Sequence, residues 1–260
     1  MKTKIAVLGN SHLSAFKLGW EIIKNDFPDL ELTFFGSPTT SMRFFKVENN
    51  TLVPTTDKVL ENIRWTSDGY DYIPGDMDAY ILVGMGYSFI HLIDLWKNHR
   101  LFKYYNKDDE SKQLISESFL EKSMEGTLRN SNALTLIDML KKITTSPLVY
   151  APNPYASINI LQDGNYDYYH FDDLMKKAYD YYFKCADSLF LEREVFFAVQ
   201  PESTIHDNMF TQDVFSRNSI KLKSGLDSKH ASSDYFHMNA EFGAVSLRDI
   251  FLNYSFIKNH

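Results

Sequence analysis

Cysteine is almost absent from this 260-residue chain: Cys185 stands alone, which excludes an intramolecular disulfide framework and a cysteine-based zinc cluster. Its place in an aromatic, helical stretch makes it a small buried apolar group. No apolar run approaches the roughly 20 residues that cross a bilayer, so no membrane span is expected. A basic excess is missing too. Acidic residues outnumber basic ones 34 to 27, for a net charge of −7. Without a Lys/Arg stripe to meet phosphates, a nucleic-acid partner is not expected. Glycine is sparse, and Gly84-Met85-Gly86 lacks the further glycine of a dinucleotide fingerprint. His91, His99, His206, His230 and His260 have no usable partner spacing, so neither a metal nor a cofactor is expected. The start of the chain shows no signal-peptide pattern, and a cytoplasmic location is the expectation. Nothing in the sequence speaks to oligomeric state.

What is present is core-forming material. Apolar residues make up 44% of the chain and aromatic residues 15%, including 20 Phe and 16 Tyr. Five short apolar segments read as strands: Lys4 to Leu8, Leu30 to Phe35, Asp78 to Val83, Leu148 to Ala151 and Val195 to Val199. Each ends in a turn bearing Gly or Pro, and helical patterns lie between them. Leu13, Phe16, Trp20, Ile23 and Phe27 recur at spacings of three and four. Similar stripes mark Ser88 to Lys97, Thr127 to Thr144, Asp172 to Phe190 and Asn239 to Tyr254. This alternation predicts a doubly wound, flavodoxin-like three-layer α/β/α sandwich around a five-stranded parallel sheet, in one domain over 1–260. Between 41 and 76, short alternating segments around Asn, Asp and Gly turns predict a small β-hairpin insertion, a lid or an edge. The stretch 99–125 reads as polar loop, with a solvated charge run at Lys107-Asp108-Asp109-Glu110. Residues 203–233 read as a long loop.

Two motifs carry chemistry. Gly9-Asn10-Ser11-His12 stops the first strand and starts the first helix, at the strand edge where open α/β sheets bind ligands. On local pattern alone Ser11 is either a nucleophile or a helix N-cap. Asp234-Tyr235-Phe236-His237 precedes the last helix. A carboxylate three residues before an imidazole can hold it in the tautomer that accepts a proton from a serine. Either motif alone is weak. In a doubly wound sheet, however, both loops lie at the carboxyl edge, so Ser11, Asp234 and His237 can converge.

Together these residues resemble the SGNH (GDSL-type) hydrolases, including the variants associated with bacterial polysaccharides. Gly9-Asn10-Ser11 corresponds to the nucleophile block and Asp234 to His237 to the block of acid and base. The resemblance implies a Ser11, His237 and Asp234 triad and an oxyanion hole built from the amides of Ser11 and Gly36. The family's third block, Gly-x-Asn-Asp, is not matched, since Gly84-Met85-Gly86 supplies no asparagine there. The Gly86 amide, or the side chain of Asn153 after the fourth strand, is the expected substitute. His12 and Gln200 are expected to contact substrate. The implied activity is hydrolysis of an O-acyl ester, acetyl on a carbohydrate for preference, through an acyl-enzyme. An O-acyltransferase on the same triad and a non-catalytic carbohydrate-binding descendant are the alternatives. The partner is accordingly a small-molecule or carbohydrate ester.

Overall fold

The structure is a computed structural model and describes residues 2–102, 112–170, 172–207, 209–222 and 227–254; the charge run at 107–110 lies outside them. β1 (Thr3–Gly9) enters α1 (Leu13–Ile23), and β2 (Leu30–Gly36) follows. Next come β3 (Phe45–Glu48), β4 (Thr51–Pro54), α2 (Asp57–Thr66) and β5 (Ile73–Pro74). β6 (Ala79–Val83) leads to α3 (Phe89–Ile93), the short strands β7 (His99–Leu101) and β8 (Gln113–Ile115), α4 (Glu117–Arg129) and α5 (Asn132–Leu140). β9 (Leu148–Ala151), α6 (Asp172–Leu191) and β10 (Val195–Phe197) complete the central sheet. Two small antiparallel pairs, β11 (Ile205–His206) with β12 (Phe210–Thr211) and β13 (Ile220–Lys221) with β14 (Ser228–Lys229), precede α7 (Ala240–Asn253).

The five-stranded sheet has the order β10-β9-β6-β1-β2 and is parallel throughout. Counting only these strands, the order is 2-1-3-4-5, whose switch point lies between β1 and β6. Ser11 follows β1 at that point. Alternate residues feed the two faces. Ile5 and Val7 pack with α1 and α7, while Ala6 and Leu8 pack with the helices opposite. The second face takes up much of the aromatic content. Tyr80, Tyr87, Tyr150, Tyr182 and Phe190 are all fully buried there, with Tyr150 stacked on Phe190 at 4.9 Å.

The 41–76 insertion departs from expectation in one respect. β3 and β4 do form a hairpin, turned by Asn49 and Asn50, both in left-handed conformation as a tight hairpin turn requires. Residues 57–66, however, are helical rather than part of a second hairpin. Thr56 caps the helix by accepting from the Val59 amide, and Val59, Ile63 and Thr66 bury one face. The 99–125 stretch likewise contains two strands and the start of α4, capped by Ser116 accepting from the Phe119 amide. The stripe read as one helix from Thr127 to Thr144 is two, broken at Asn130–Ser131.

α1 and α7 approach at backbone contact. A Cβ placed on Gly243 would lie 1.9 Å from the Ala15 carbonyl oxygen, and one on Gly19 would lie 2.3 Å from the Ala244 nitrogen. Gly→Ala inside a helix ordinarily stabilises by roughly 0.5–1 kcal/mol. Here the added methyl must push two helices apart, so the sign should reverse. Gly243→Ala is expected to destabilise by about 1–3 kcal/mol and to lower Tm by roughly 5 °C, measured by thermal denaturation. A Tm at or above wild type would show that the close contact is absent.

Candidate active site

Ser11 lies in the turn from β1 into α1. The turn is held by Asn10, whose Oδ1 accepts from the His12 amide at 3.2 Å, and by Ser14, whose Oγ donates to the Ser11 carbonyl at 3.0 Å. Ser11 Oγ makes no cap bond. It lies 2.9 Å from His237 Nε2, although the two residues are 226 apart in sequence. His237 Nδ1 is 2.8 Å from Asp234 Oδ2. The loop bearing Asp234 and His237 is anchored on both sides. The Tyr235 carbonyl accepts from the Ser157 amide at 2.7 Å. Asn239 caps α7 through the Phe242 amide and donates its side-chain amide to the carbonyls of Val214 and Arg217.

Asp234 is saturated. Its Oδ1 accepts from the amides of Phe236 (3.0 Å) and His237 (3.1 Å), while His230 Nδ1 also lies 2.8 Å from Oδ2. Burial alone would raise its pKa, but the His237 ring and these amides more than offset that and hold the carboxyl well below the usual range. It is therefore ionised, which requires His237 Nδ1 to carry the hydrogen and leaves Nε2 as the acceptor facing Ser11.

His237 is flanked by an imidazole on each face. His230 stacks at 4.1 Å between centroids and 12° from parallel, and His12 at 4.9 Å and 21°. A charge on either neighbour would oppose protonation of His237. Burial, followed by the proximity of His237, lowers the pKa of His12 to about 3. The same causes, in the same order, lower His230. Both flanking rings are thereby kept neutral. Among the described residues, His230, Asp234 and His237 also have metal-ligand atoms within 4.8 Å of one another. Rings stacked this close to parallel direct their in-plane lone pairs along separate planes, which do not converge on one ion.

The remaining predicted site residues are placed as follows. The Gly36 amide donates to Thr66 Oγ1 at 2.8 Å, on the side of β2 away from β1, and the Gly86 amide donates to Asn153 Oδ1 at 3.2 Å. Both amides are thus engaged in this conformation, whereas among the described residues nothing accepts from the Ser11 amide. The Gly86 bond orients Asn153, so its Nδ2 faces His12 Nε2 at 2.8 Å and retains a second hydrogen. Gln200 is not at the site. Its Oε1 accepts from the Tyr155 amide and its Nε2 bonds the hydroxyls of Thr204 and Thr211, so a turn-end residue expected at the pocket is a buried internal brace. His12 is buried against His237 rather than lining a cleft.

Two clefts adjoin the site. One, of about 480 Å³, lies behind Asp234 and His230 and includes neither Ser11 nor His237. The other, of about 230 Å³, opens on Ser11. His230, Thr66 and Trp65 were missed by sequence reasoning. The spacing His230-x3-Asp234-x2-His237 was the available signal for the first, and the period of α2 for the other two.

No family model and no curated protein matches the sequence. Solved structures do match its shape. An extracellular lipase from Streptomyces rimosus superimposes with a TM-score of 0.51 at 9% identity, over 95% of this chain and 98% of that one. Phospholipase A1 from Streptomyces albidoflavus does so with a TM-score of 0.50 at 9% identity, over 95% and 99%. What is shared is the fold, a flavodoxin-like α/β sandwich around a five-stranded parallel sheet. At such identities the likeness is one of architecture. Within that fold the serine after β1 and the Asp-x-x-His before the last helix meet at the same sheet edge.

The buried neutral imidazole has a consequence for stability. His12 stays unprotonated in the folded protein down to a pH of about 3, against an ordinary value of 6.5. Between these values the unfolded chain binds more protons, so stability falls as pH drops through this window, by at most on the order of 5 kcal/mol. His12→Gln removes that contribution, while the similar effect of His230 remains in both proteins. The variant's Tm should therefore decline less steeply than wild type from pH 6.5 to 3. Equal slopes would contradict a neutral buried His12.

Proposed function

We propose that this protein is a serine ester hydrolase that cleaves O-acyl esters through an acyl-enzyme. The observation that carries the reading is the continuous relay from Ser11 Oγ to His237 Nε2 at 2.9 Å and from His237 Nδ1 to Asp234 Oδ2 at 2.8 Å. The short first distance favours a catalytic site over a purely carbohydrate-binding one.

Ser11 Oγ attacks the ester carbonyl carbon as its proton passes to His237 Nε2, and the resulting imidazolium is paired with Asp234. The tetrahedral intermediate collapses when the alcohol oxygen leaves with the proton from Nε2, and the acyl group stays on Ser11. Water then gives a proton to His237 and attacks the acyl carbon. Ser11 regains its proton and the carboxylic acid departs. The free Ser11 amide and the second Nδ2 hydrogen of Asn153 are the donors we assign to the oxyanion, in place of the engaged amides of Gly36 and Gly86. An acetyl ester of a carbohydrate belongs to this substrate class. A sugar hydroxyl replacing water in the second half would make the same site a transferase.

A fluorophosphonate probe is expected to label wild type at Ser11 and to leave Ser11→Ala unlabelled. A folded wild type that resists the probe would overturn the reading. Removing one preorganised donor typically costs about 10²–10³ in turnover, so Asn153→Ala should lower kcat on a short-chain aryl ester by that factor. An unchanged kcat would remove Asn153 from the oxyanion site. Adding a sugar acceptor should leave acid as the main product, whereas an acylated sugar would identify a transferase.

A further inference from the structure

The cleft beside Ser11 is lined by Leu13, Pro38, Trp65, Thr66, Lys221 and Leu222, among others, and no residue of 230–238 contributes to it. That fixes which half of an ester it can take. The alcohol oxygen must draw its proton from His237 Nε2, so the alcohol lies on the His237 side of Ser11. The other substituent of the carbonyl, the acyl chain, lies on the opposite side, where the cleft is.

Apart from Ser11 itself, the exposed Lys221 and the Asn10 amide group, the side-chain hydroxyls and amides in this wall bond one another or the backbone. Asn62 Nδ2 donates to Ser37 Oγ at 3.0 Å, and Ser37 Oγ pairs with Ser41 Oγ at 2.8 Å. Ser14 Oγ donates to the Ser11 carbonyl at 3.0 Å. Thr66 Oγ1 takes the Gly36 amide and donates to the Asn62 carbonyl at 2.9 Å. An occupant therefore meets Leu13, Pro38, Trp65 and Leu222 without having to supply hydrogen bonds, which suits an alkyl chain rather than a sugar.

Volume sets the length. A dry cavity of about 150 Å³ holds the six carbons of benzene, so the observed volume of about 230 Å³ has room for roughly nine heavy atoms. An acetyl group would leave most of it unfilled. Asn62, Trp65 and Thr66 stand at i, i+3 and i+4 on α2, so the inserted helix presents one face to the cleft. Trp65 is 36% exposed and is the largest side chain on that face.

We propose that this cleft is the acyl subsite, that it takes a saturated acyl chain of about six to eight carbons, and that Trp65 sets the chain length. The inference rests on the ester-hydrolase reading above and replaces acetyl with a medium chain as the preferred group.

The test is hydrolysis of 4-nitrophenyl acetate, butyrate, hexanoate and octanoate by wild type, Trp65→Ala, Trp65→Phe and Ser11→Ala. In wild type, kcat/KM should rise from acetate to hexanoate by up to about fourfold per added methylene. Trp65→Ala should lower the hexanoate-to-acetate ratio about tenfold, and Trp65→Phe should restore most of it. Hydrolysis that depends on Ser11 but is flat or falling beyond acetate, with ratios indifferent to Trp65, would overturn the acyl subsite and leave the hydrolase reading standing. No turnover of any ester, together with no fluorophosphonate labelling of Ser11, would overturn both.

Discussion

The backbone contact between α1 and α7 is the constraint on which the site depends. α1 begins just after Ser11 and α7 just after His237. The amino-terminal end of α7 meets α1 where Gly19 and Gly243 leave no room for a side chain. Two rigid helices crossing this closely bring the turns ahead of them to one place, although those turns lie at opposite ends of the chain. The sheet contributes the other coordinate. Its order puts β1 at the switch point, so the β1 turn opens onto a crevice rather than a packed edge. A 2.9 Å approach of serine to imidazole then needs only modest local ordering, supplied by Asn10 on one side and Asn239 on the other.

The electrostatic design follows from this crowding. Three imidazoles are stacked beside one carboxylate, and the arrangement serves a base only if two of them stay neutral. Burial does this for His12 and His230, while four close donors keep Asp234 ionised. The ring between these two neutral ones is the one facing Ser11. The expected oxyanion donors are placed otherwise than the resemblance implies. Thr66, from the inserted α2, takes the amide of Gly36, and Asn153 reaches in from the end of β9. The insertion thus alters the site twice, once by engaging a backbone donor and once by walling the cleft.

Legibility of the sequence varied with the range of the forces involved. The five sheet strands were legible because each is a short apolar run ended by Gly or Pro, a local signal. The helix at 57–66 was not. Its inward face is only Val59, Ile63 and Thr66, too thin a stripe to outweigh the Asn, Asp and Gly turns on either side. The helix in the 99–125 stretch was hidden by its charged outer face in the same way. Gln200 had the right address, at the carboxyl end of a strand. Its amide was instead drawn into bonds with Tyr155, Thr204 and Thr211 that no local pattern reveals.

By itself the sequence determined the strand–turn–helix at Ser11, the Asp-x-x-His pair ahead of the last helix, and the sheet edge where the two can meet. Each follows from apolar periodicity and turn chemistry, which act over a few residues. It left Ser11 divided between capping a helix and attacking a substrate, because both uses favour the same residue at the same position. The tertiary structure removes the first of these uses. Ser11 makes no cap bond, the turn is tied by Asn10 through the His12 amide, and Ser11 Oγ faces an imidazole 226 residues away. The flanking rings of His12 and His230, the loss of the Gly36 amide to Thr66 and the apolar cleft under Trp65 are likewise contacts between distant segments. They depend on how helices pack on a sheet, and no local propensity encodes that.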